Sequence, residues 1–305
     1  MKLTVSSSPH IHSANSTARV MRDVLISLLP ATVAATVFFG LRALLVVVFC
    51  AALSVGLECL CRLVMRRENT VADGSAAVTG VLLALTLPAD VPLHYAIVGC
   101  VTAIVVVKQM FGGLGNNFVN PALAARIVML ISFPSALSSV GSNHFLPDGV
   151  TTATPLAVGE ASSLLDLFVG KVGGAMGEGC KIAILLGLAY LLVRRVITPV
   201  IPVCMVGTVA LFSLFVGADV GLQVLSGGLL FGAVFMATDY VTSPLTIKGQ
   251  AVYAVGCGLI TVLIRLYASL PEGVSYAIVL MNIVTPLIDR AFRPHPYGAK
   301  KGGKK

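Results

Sequence analysis

A run of hydroxyl and carboxyl side chains, Asp-Gly-Val-Thr-Thr-Ala-Thr-Pro at 148–155, is the first candidate for chemistry in this sequence. A threonine hydroxyl can be esterified, but it is a weak nucleophile at neutral pH and needs a base to activate it. His144 lies ten residues before Thr154, so we expect any modification here to be made by another enzyme. On local grounds alone, a cluster of Thr, Asp, Gly and Pro is typical of an ordinary turn.

Charged residues in or beside apolar runs form a second group of candidates: Glu58, Lys108, Arg126, Asp239 and Arg265. A charge at membrane depth is costly and points to a function. We expect Arg126 and Arg265, which lie well inside their runs, to bind an anion or to pair with an acidic neighbour. Glu58 and Lys108 could instead snorkel to the membrane interface. Asp239 could pair with a nearby lysine, help shape a cation path or cap a helix.

Two glycine clusters, at 112–115 and at 227–228, interrupt apolar segments. Glycines in apolar surroundings more often mark close helix packing than ligand contact, and we expect packing at 227–228, whereas the asparagines that follow 112–115 favour ligand contact there. The first cluster is followed by Asn116, Asn117 and Asn120. Amide side chains at membrane depth need partners, so this polar turn could hold a ligand or a cation.

Several familiar chemistries have no signature in the chain. It contains no P-loop, no dinucleotide-binding glycine fingerprint, no HExxH and no CxxC array. Cys59 and Cys61 are the one close pair among the seven cysteines, and no companion ligands accompany them. We therefore expect the cysteines to act as small hydrophobic residues, without a metal site.

The composition defines the environment in which these residues lie. Of 305 residues, 57% are hydrophobic and 11% are charged, and the mean hydropathy is +0.95. Soluble domains are about 25% charged, so an ordinary soluble enzyme and a disordered protein are both excluded. The net charge of +8 would suggest nucleic acid binding in a soluble protein, but in a membrane protein it indicates basic cytoplasmic loops.

Apolar runs broken by Gly, Pro or charge predict an all-α integral membrane protein. About ten membrane helices are expected, several of them short or broken, as in proteins whose helices line an internal site. The predicted helices are 24–40, 43–61, 74–88, 94–111, 118–137, 180–193, 200–216, 220–237, 251–268 and 273–288.

The distribution of Lys and Arg predicts the orientation. With both termini in the cytoplasm, most basic residues lie at the inner face, as the positive-inside rule requires. The long loop is then extracytoplasmic. The predicted segments are a cytoplasmic arm (1–23), a first membrane half (24–137), the extracytoplasmic loop (138–179), a second membrane half (180–288) and a basic cytoplasmic tail (289–305).

The two membrane halves also resemble each other weakly. Tyr-Ala-Ile-Val-Gly-Cys at 95–100 leads to Lys108, and Tyr-Ala-Val-Gly-Cys at 253–257 leads to Arg265. Because each half would contain five spans, an odd number, the second copy would be inserted upside down. The sequence therefore predicts two inverted five-helix repeats with a site near the bilayer midplane.

Several motifs together resemble one known family. They are Asp-Gly-Ser-Ala-Ala-Val-Thr-Gly at 73–80, Phe-Gly-Gly-Leu-Gly-Asn-Asn-Phe-Val-Asn-Pro-Ala at 111–122, Met-Ala-Thr-Asp-Tyr-Val-Thr-Ser-Pro at 236–244, Pro-Glu-Gly at 271–273 and Thr-Pro-Leu-Ile-Asp-Arg at 285–290. The chain resembles, end to end, the RnfD family, which comprises the D subunits of Rnf complexes. It is more distantly similar to the B subunits of sodium-pumping NADH:quinone oxidoreductases.

The resemblance implies a covalent cofactor on the outer loop. The segment from Asp148 to Thr154 looks like the pattern at which a bacterial flavin transferase attaches FMN, through a phosphoester bond, to the last threonine. Thr154 is then the FMN acceptor, and Asp148, Thr151 and Ala153 belong to the pattern. Glycine is commoner in the motif at the position of Thr152. The transferase acts outside the cytoplasm, on the side where the basic residues already put this loop.

The resemblance also implies the setting. The chain would be a non-autonomous flavin-bearing subunit of a translocase in the bacterial or archaeal plasma membrane. That complex moves electrons between ferredoxin and NAD and couples this to Na⁺ or H⁺ translocation. The A, B, C, E and G subunits, the transferase and membrane lipid are the expected partners, and nucleic acid is not. A second, noncovalent flavin such as riboflavin is expected within the fold. Its candidate contacts, and those of the FMN, are Arg126, Asn120, Asp73 and Arg265.

A secondary transporter or channel with inverted repeats is the alternative. In that interpretation the glycine and asparagine turns bind a solute or ion, and the protein has no redox role. The outer motif ending at Thr154 discriminates between the two hypotheses, because a transporter does not need it.

Overall fold

The computed structural model describes residues 16–68, 70–137, 164–170, 173–268 and 272–293. These residues form helices and connecting turns, and no strand occurs among them, so the predicted all-α class is confirmed. Two short 3₁₀ helices, Val71–Asp73 and Met176–Glu178, precede longer helices. The α-helices are α1 (Thr17–Phe39), α2 (Leu41–Val64), α3 (Ser75–Leu85), α4 (Leu93–Val101), α5 (Pro121–Ser132), α6 (Pro134–Leu137), α7 (Leu164–Val169), α8 (Lys181–Val193), α9 (Val200–Val216), α10 (Val220–Leu225), α11 (Leu229–Phe231), α12 (Ile247–Tyr267) and α13 (Val274–Ala291).

Helix length separates the described helices into two groups. Four of them, α1, α2, α12 and α13, are long and apolar enough to cross a membrane. A further group of shorter apolar helices consists of α3, α4 with its continuation, α5, α8 and α9. The helices coincide with the predicted apolar runs, while the count of ten membrane spans stays a prediction.

Helix α1 begins earlier than the sequence predicted. The expected start was residue 24, but the helix begins at Thr17 because Ser16 acts as its N-cap. The Ser16 hydroxyl accepts a hydrogen bond from the backbone N–H of Arg19. Apolar periodicity reveals the buried part of a helix but not a polar first turn, which explains the difference. Gly40, with φ of 78°, joins α1 to α2.

Antiparallel packing of α1 and α8 defines the two ends of the molecule. Asp23 near the start of α1 accepts a hydrogen bond from Tyr190 and pairs with Arg194, just after the end of α8. At the other end of the same helices, the Phe39 ring lies beside Gly179. We call these the Arg194 end and the Glu178 end.

Small residues bring neighbouring helices close together. A Cβ added at Gly80 of α3 would lie 2.6 Å from the carbonyl oxygen of Cys50 in α2. Glycine is therefore required where these two backbones meet, as in other membrane helix pairs. The apolar core around this contact is fully buried and includes Val46, Cys50, Leu83, Ala84, Ala96 and Cys100.

Two helices change their winding inside the fold. Helix α4 continues as a π-helix over Thr102–Gln109, and α11 continues as a π-helix over Gly232–Met236. Such π segments are frequent at functional sites. The run predicted as one helix over 220–237 is interrupted between α10 and α11, and α7 with the second 3₁₀ helix lies within the range predicted as a long loop. The domain limits and the inverted repeat stay predictions.

Candidate functional sites

A buried ion pair lies toward the Arg194 end. The Lys108 Nζ is 3.0 Å from Oε1 of Glu58, and each side chain is 1% exposed. Lys108 also donates to the Ser75 hydroxyl at 2.8 Å, and Gln109 donates to Glu58 Oε1 at 2.8 Å. Snorkelling of Glu58 and Lys108 to the interface is therefore wrong, because the π-helical end of α4 directs Lys108 and Gln109 inward onto α2.

The first glycine cluster forms a turn instead of a helix contact. Gly112, Gly113 and Gly115 all have φ between 95° and 116°, a region that L side chains rarely adopt. A Cβ at Gly113 would clash with the Arg62 guanidinium. The polar turn expected at this site is therefore present, because the glycines allow the backbone to fold against a buried arginine, and ligand contact there stays a prediction.

A cleft toward the same end combines apolar walls with polar groups. Apolar walls with a few polar groups are the usual lining of small-molecule sites. We call it the central cleft. Its polar lining consists of Ser75, Thr79, Lys108, Asn117, Asn120, Thr238, Asp239 and Tyr240.

Two asparagines of the cleft have different roles. Asn120 is 3% exposed and caps α5, because its side-chain oxygen accepts from the N–H groups of Ala122 and Leu123. Its Nδ2 donates to the Met236 carbonyl at 3.3 Å, at the end of the second π-helix. Asn117 is 8% exposed, and its Oδ1 has no hydrogen-bond partner among the described residues. A buried acceptor without a partner is suited to bind a ligand donor.

Asp239 stabilises the turn after the second π-helix. Its carboxylate accepts from the Val241 N–H at 3.4 Å and from the Thr242 hydroxyl at 3.3 Å. Burial raises the pKa of the Asp239 carboxyl, and these two hydrogen bonds oppose the rise. Lys248 forms no ion pair with it within 4.0 Å in the described ranges, so capping is the observed role.

A second charged cluster lies at the Glu178 end, where three cations meet two carboxylates. Arg126 is 3% exposed, and its Nε donates to Glu272 Oε2 at 2.9 Å. Its Nη2 pairs with the other Glu272 oxygen and lies 3.8 Å from Glu178 Oε1. Of the two roles expected for Arg126, acidic pairing is observed. We call Arg126, Glu178, Lys181, Arg265 and Glu272 the Glu178 cluster.

The other two cations of the cluster bind backbone carbonyls. Arg265 donates to the Gln223 carbonyl at 2.6 Å and to the Ser226 carbonyl at 3.3 Å. Lys181, only 2% exposed, donates to the carbonyls of Glu178 and Gly179. Neither cation has a carboxylate within 4.0 Å among the described residues.

The second glycine cluster lies beside the same carboxylate. A Cβ at Gly228 would lie 2.8 Å from Glu178 Oε1, and Gly227 has φ of 65°. Helix packing, which we expected for this cluster, is therefore wrong. The glycines make room for an acidic side chain at a turn between α10 and α11.

Several predicted site residues lie outside the described residues: Asp148, Thr151, Ala153 and Thr154. Asp73 ends a 3₁₀ helix and does not belong to the described lining of the central cleft. Sequence reasoning missed Gln109, Glu178, Lys181 and Glu272. Gln109, Lys181 and Glu272 lie near the ends of apolar runs, and that position was the available signal, whereas Glu178 lies in a glycine-rich stretch.

The cysteines have varied surroundings. Cys50, Cys100 and Cys257 are buried, as expected for small hydrophobic residues, while Cys59 is exposed and Cys61 is partly exposed. The described residues contain no group of three or more His, Cys, Asp or Glu side chains that could hold a metal ion.

The fold and the sites define a class of protein. It is an all-α integral membrane protein whose interior contains ion pairs, orphan amide groups and a partly polar cleft. Charged residues in the interior of a membrane protein are costly in free energy, and they often mark functional regions.

The sequence comparisons identify the family. A model of the NQR2, RnfD, RnfE family matches residues 4–298, so the chain belongs to that family, and the resemblance seen in the motifs is confirmed. It is 49% identical over 311 residues to the D subunit of the Na⁺-translocating ferredoxin:NAD⁺ oxidoreductase complex of Acetobacterium woodii, covering 99% of this chain and 97% of that protein.

Two further relatives are similar over almost their full length. The D subunit of the proton-translocating ferredoxin:NAD⁺ oxidoreductase complex of Clostridium ljungdahlii is 38% identical, with 98% of this chain and 97% of the relative covered. The D subunit of the ion-translocating oxidoreductase complex of Stutzerimonas stutzeri is 36% identical, with 95% and 94% covered. The names of these relatives differ in the ion, so likeness alone does not assign Na⁺ or H⁺ to this chain.

Proposed function

We propose that this chain is the flavin-bearing membrane subunit of an Rnf complex. It carries electrons through FMN bound covalently to Thr154, in ferredoxin:NAD oxidoreduction coupled to Na⁺ or H⁺ translocation. The observation that carries the proposal is the full-length likeness to the D subunits of such complexes, together with the Asp148 to Thr154 pattern. FMN supplies the redox chemistry, and the protein supplies position, polarity and shielding.

The central cleft supports the proposal of a second, noncovalent flavin. Its walls combine apolar side chains with a few polar groups, the lining that an organic cofactor requires. Asn117 Oδ1 would accept a hydrogen bond from the ring, because it has no partner among the described residues. Asn120 would fix one wall of the cleft, since its hydrogen bond connects α5 to Met236.

The same proposal includes an orientation in the membrane. Arg194 pairs with Asp23 near the start of α1, so the N-terminal part of the chain and the end of α8 lie at one end of the bundle. The basic residues Arg62, Arg66 and Arg67 follow Glu58 toward that end. By the positive-inside rule, this is the cytoplasmic end, and the loop with Thr154 is extracytoplasmic.

The proposal also names partners. Ferredoxin, NAD and iron–sulfur chemistry would belong to the A, B, C, E and G subunits of the Rnf complex, and a flavin transferase would attach the FMN. Large apolar side chains such as Val37, Val48 and Phe215 are exposed on the helices. Lipid and neighbouring subunits would cover them.

In-gel flavin fluorescence tests the proposal. Protein produced with the flavin transferase should fluoresce under ultraviolet light after denaturing electrophoresis, because a phosphoester survives denaturation. Thr154→Ala should abolish the signal, whereas Thr152→Gly, which brings the motif closer to its commoner form, should keep it. Fluorescence that persists in Thr154→Ala would contradict the assigned acceptor.

A further inference from the structure

A series of polar contacts leads from the protein surface to the central cleft. It begins at Thr70, which is partly exposed and whose hydroxyl donates to Glu58 Oε1 at 3.4 Å. The Lys108 Nζ lies 3.0 Å from the same oxygen and donates to the Ser75 hydroxyl at 2.8 Å. Lys108 and Ser75 both line the central cleft. We call the contacts from Thr70 through Glu58 to Lys108 the Thr70 route.

The outer end of the Thr70 route lies at the Arg194 end of the molecule. Thr70 precedes the first 3₁₀ helix, which is followed by Gly74. A Cβ added at Gly74 would lie 3.8 Å from the Cβ of Met21, two residues before Asp23 in α1. The route therefore starts at the face that is proposed above to be cytoplasmic.

Glu58 has the geometry of a group that takes up and releases a proton. Its Oε1 accepts from Thr70, Lys108 and Gln109, while its Oε2 has no hydrogen-bond partner among the described residues. A proton on Oε2 therefore leaves the contacts of Oε1 in place. The Glu58 side chain is 1% exposed, so bulk water does not reach it. A hydroxyl both donates and accepts, so Thr70 can pass a proton from water to the carboxylate.

The cation of this pair is one that can lose its proton. In the buried pair at the Glu178 end, Arg126 binds Glu272 through a guanidinium, which is not deprotonated in proteins. A lysine ammonium can release its proton in a protein interior, which is why lysines serve as acids and bases. A pair that only holds helices together works with either cation, whereas proton transfer requires the lysine.

Other charged groups surround the route. The charges of Arg62 and Asp73, which are opposite in sign, both act on Lys108. Asp239 also lines the central cleft and is partly exposed, so it is the competing route for a proton. The described hydrogen bonds of its carboxylate go to the Val241 N–H and the Thr242 hydroxyl, within its own turn.

We infer that Thr70, Glu58 and Lys108 transfer protons between the surface at the Arg194 end and the central cleft. The inference rests on the proposed function in one respect, because the noncovalent flavin proposed for the cleft is the acceptor. A flavin takes up a proton with an electron, and reduced ferredoxin is the electron source in the proposed reaction. Lys108 gives up one proton to the cleft, Glu58 replaces it, and Thr70 passes one from water to Glu58. All three residues then regain their starting protonation states, with one proton removed from water per electron.

The first arm of the test measures how fast the Lys108 ammonium protons exchange with water, by NMR of protein labelled with ¹⁵N-lysine. Lys108 and Lys181 are the buried lysines among the described residues, and Lys181→Met assigns their two signals. Thr70→Val should slow the exchange of Lys108 by about a hundredfold, the lower end of what a positioned proton donor contributes. Lys181, at the Glu178 end, should exchange as in the wild type.

Thr70→Ser is the matched control, because it keeps the hydroxyl group and should exchange like the wild type. The Thr70 side chain makes no capping hydrogen bond, so neither substitution removes a helix cap. This arm does not require a flavin.

The second arm follows proton uptake by the purified complex in weak buffer, with a pH-indicator dye in a stopped-flow instrument. Reduced methyl viologen is the reductant, because it gives electrons and releases no protons. Thr70→Val should slow one phase of the uptake by about a hundredfold, whereas Thr70→Ser should not. The number of protons taken up at equilibrium should be equal in all three proteins, because a transfer route changes the rate and not the end point.

Equal exchange of Lys108 in the wild type and in Thr70→Val would overturn the inference and leave the ion pair a structural contact. Slower exchange with an unchanged rate of proton uptake would overturn it as well. So would an uptake that slows in Asp239→Asn but not in Thr70→Val. A complex without noncovalent flavin would end that part of the proposed function, and the first arm would still decide whether the Thr70 route transfers protons.

Discussion

Lys108 and Glu58 form an ion pair in the protein interior, with 3.0 Å between Nζ and Oε1 and 1% exposure of each side chain. The pair joins the π-helical end of α4 to α2, and Ser75 extends it to the first turn of α3. Removing two charges from water costs several kcal/mol per ion, which only close pairing and further hydrogen bonds offset. The pair therefore holds these three helices in a fixed relation beside the central cleft.

Removing one partner of this pair should be strongly destabilising. We expect Glu58→Gln to lower the free energy of unfolding by about 3–5 kcal/mol, because it leaves the Lys108 ammonium buried without a counter-charge. The double variant Glu58→Gln with Lys108→Met should lose less than either single variant. Thermal unfolding in detergent, followed by circular dichroism, measures the difference.

Arg194→Gln is the matched control for the ion pair. Arg194 is 48% exposed and pairs at 3.2 Å with Asp23, which is 7% exposed and also accepts a hydrogen bond from Tyr190, so its loss should cost less than Glu58→Gln. Equal effects of Glu58→Gln and Arg194→Gln would mean that the fully buried pair is no more important than a half-exposed one.

The glycine turn offers a second prediction. Gly113→Ala should destabilise the protein by about 1–3 kcal/mol, because φ of 95° is strained for alanine and its Cβ would displace Arg62. Gly207 in α9 has nothing within 4 Å of an added Cβ, so Gly207→Ala should leave the melting temperature unchanged or slightly higher. Equal melting temperatures of the two variants would show that the turn tolerates a side chain.

Local sequence predicted the positions of the helices well. The run 200–216 was predicted as a helix and is observed as Val200–Val216, because thirteen of its seventeen residues are apolar and carry a strong local signal. The start of α1 was missed, since its first turn is polar and depends on the Ser16 cap. The two π-helices were not distinguished from α-helices, because the composition of both is equally apolar.

The contacts within the sites were less predictable, because the partners lie far apart in the sequence. Arg126 was selected as a buried charge, but its partner Glu272 is 146 residues away and lies at the edge of another run. Such pairing is a property of tertiary packing. The cap formed by Asn120 could be read from Asn-Pro at the start of α5, whereas its contact with Met236 could not.

Asp239 should make the stability of the folded protein depend on pH. Since burial raises its pKa in the folded state, the folded protein binds this proton more tightly than the unfolded chain does. The protonated Asp239 carboxyl therefore contributes its full stabilisation of the folded state below the ordinary carboxyl pKa. That contribution is lost as the pH rises through the raised pKa of the folded protein. We therefore expect Asp239→Asn to raise the melting temperature more at pH 8 than at pH 5. A constant difference between the two pH values would contradict this.

Substitution of Asn117 in the central cleft should lower the content of noncovalent flavin. Asn117→Ala should reduce the flavin that acid precipitation releases from the purified protein by about tenfold, because a buried hydrogen-bond acceptor is removed. Asn116 is exposed, so Asn116→Ala should keep the flavin content of the wild type. Covalent flavin, which stays in the pellet, should be equal in all three proteins. Equal release from both variants would exclude Asn117 as a contact.

Peptide mass spectrometry of Thr154 is the most direct measurement of the central claim. Protein from its native complex should yield a 148–156 peptide with the added mass of FMN through a phosphoester. The addition should be absent in Thr154→Ala and in protein made without the transferase. An unmodified Thr154 peptide from the active native complex would contradict the electron-carrier function and would favour a transporter without a redox role.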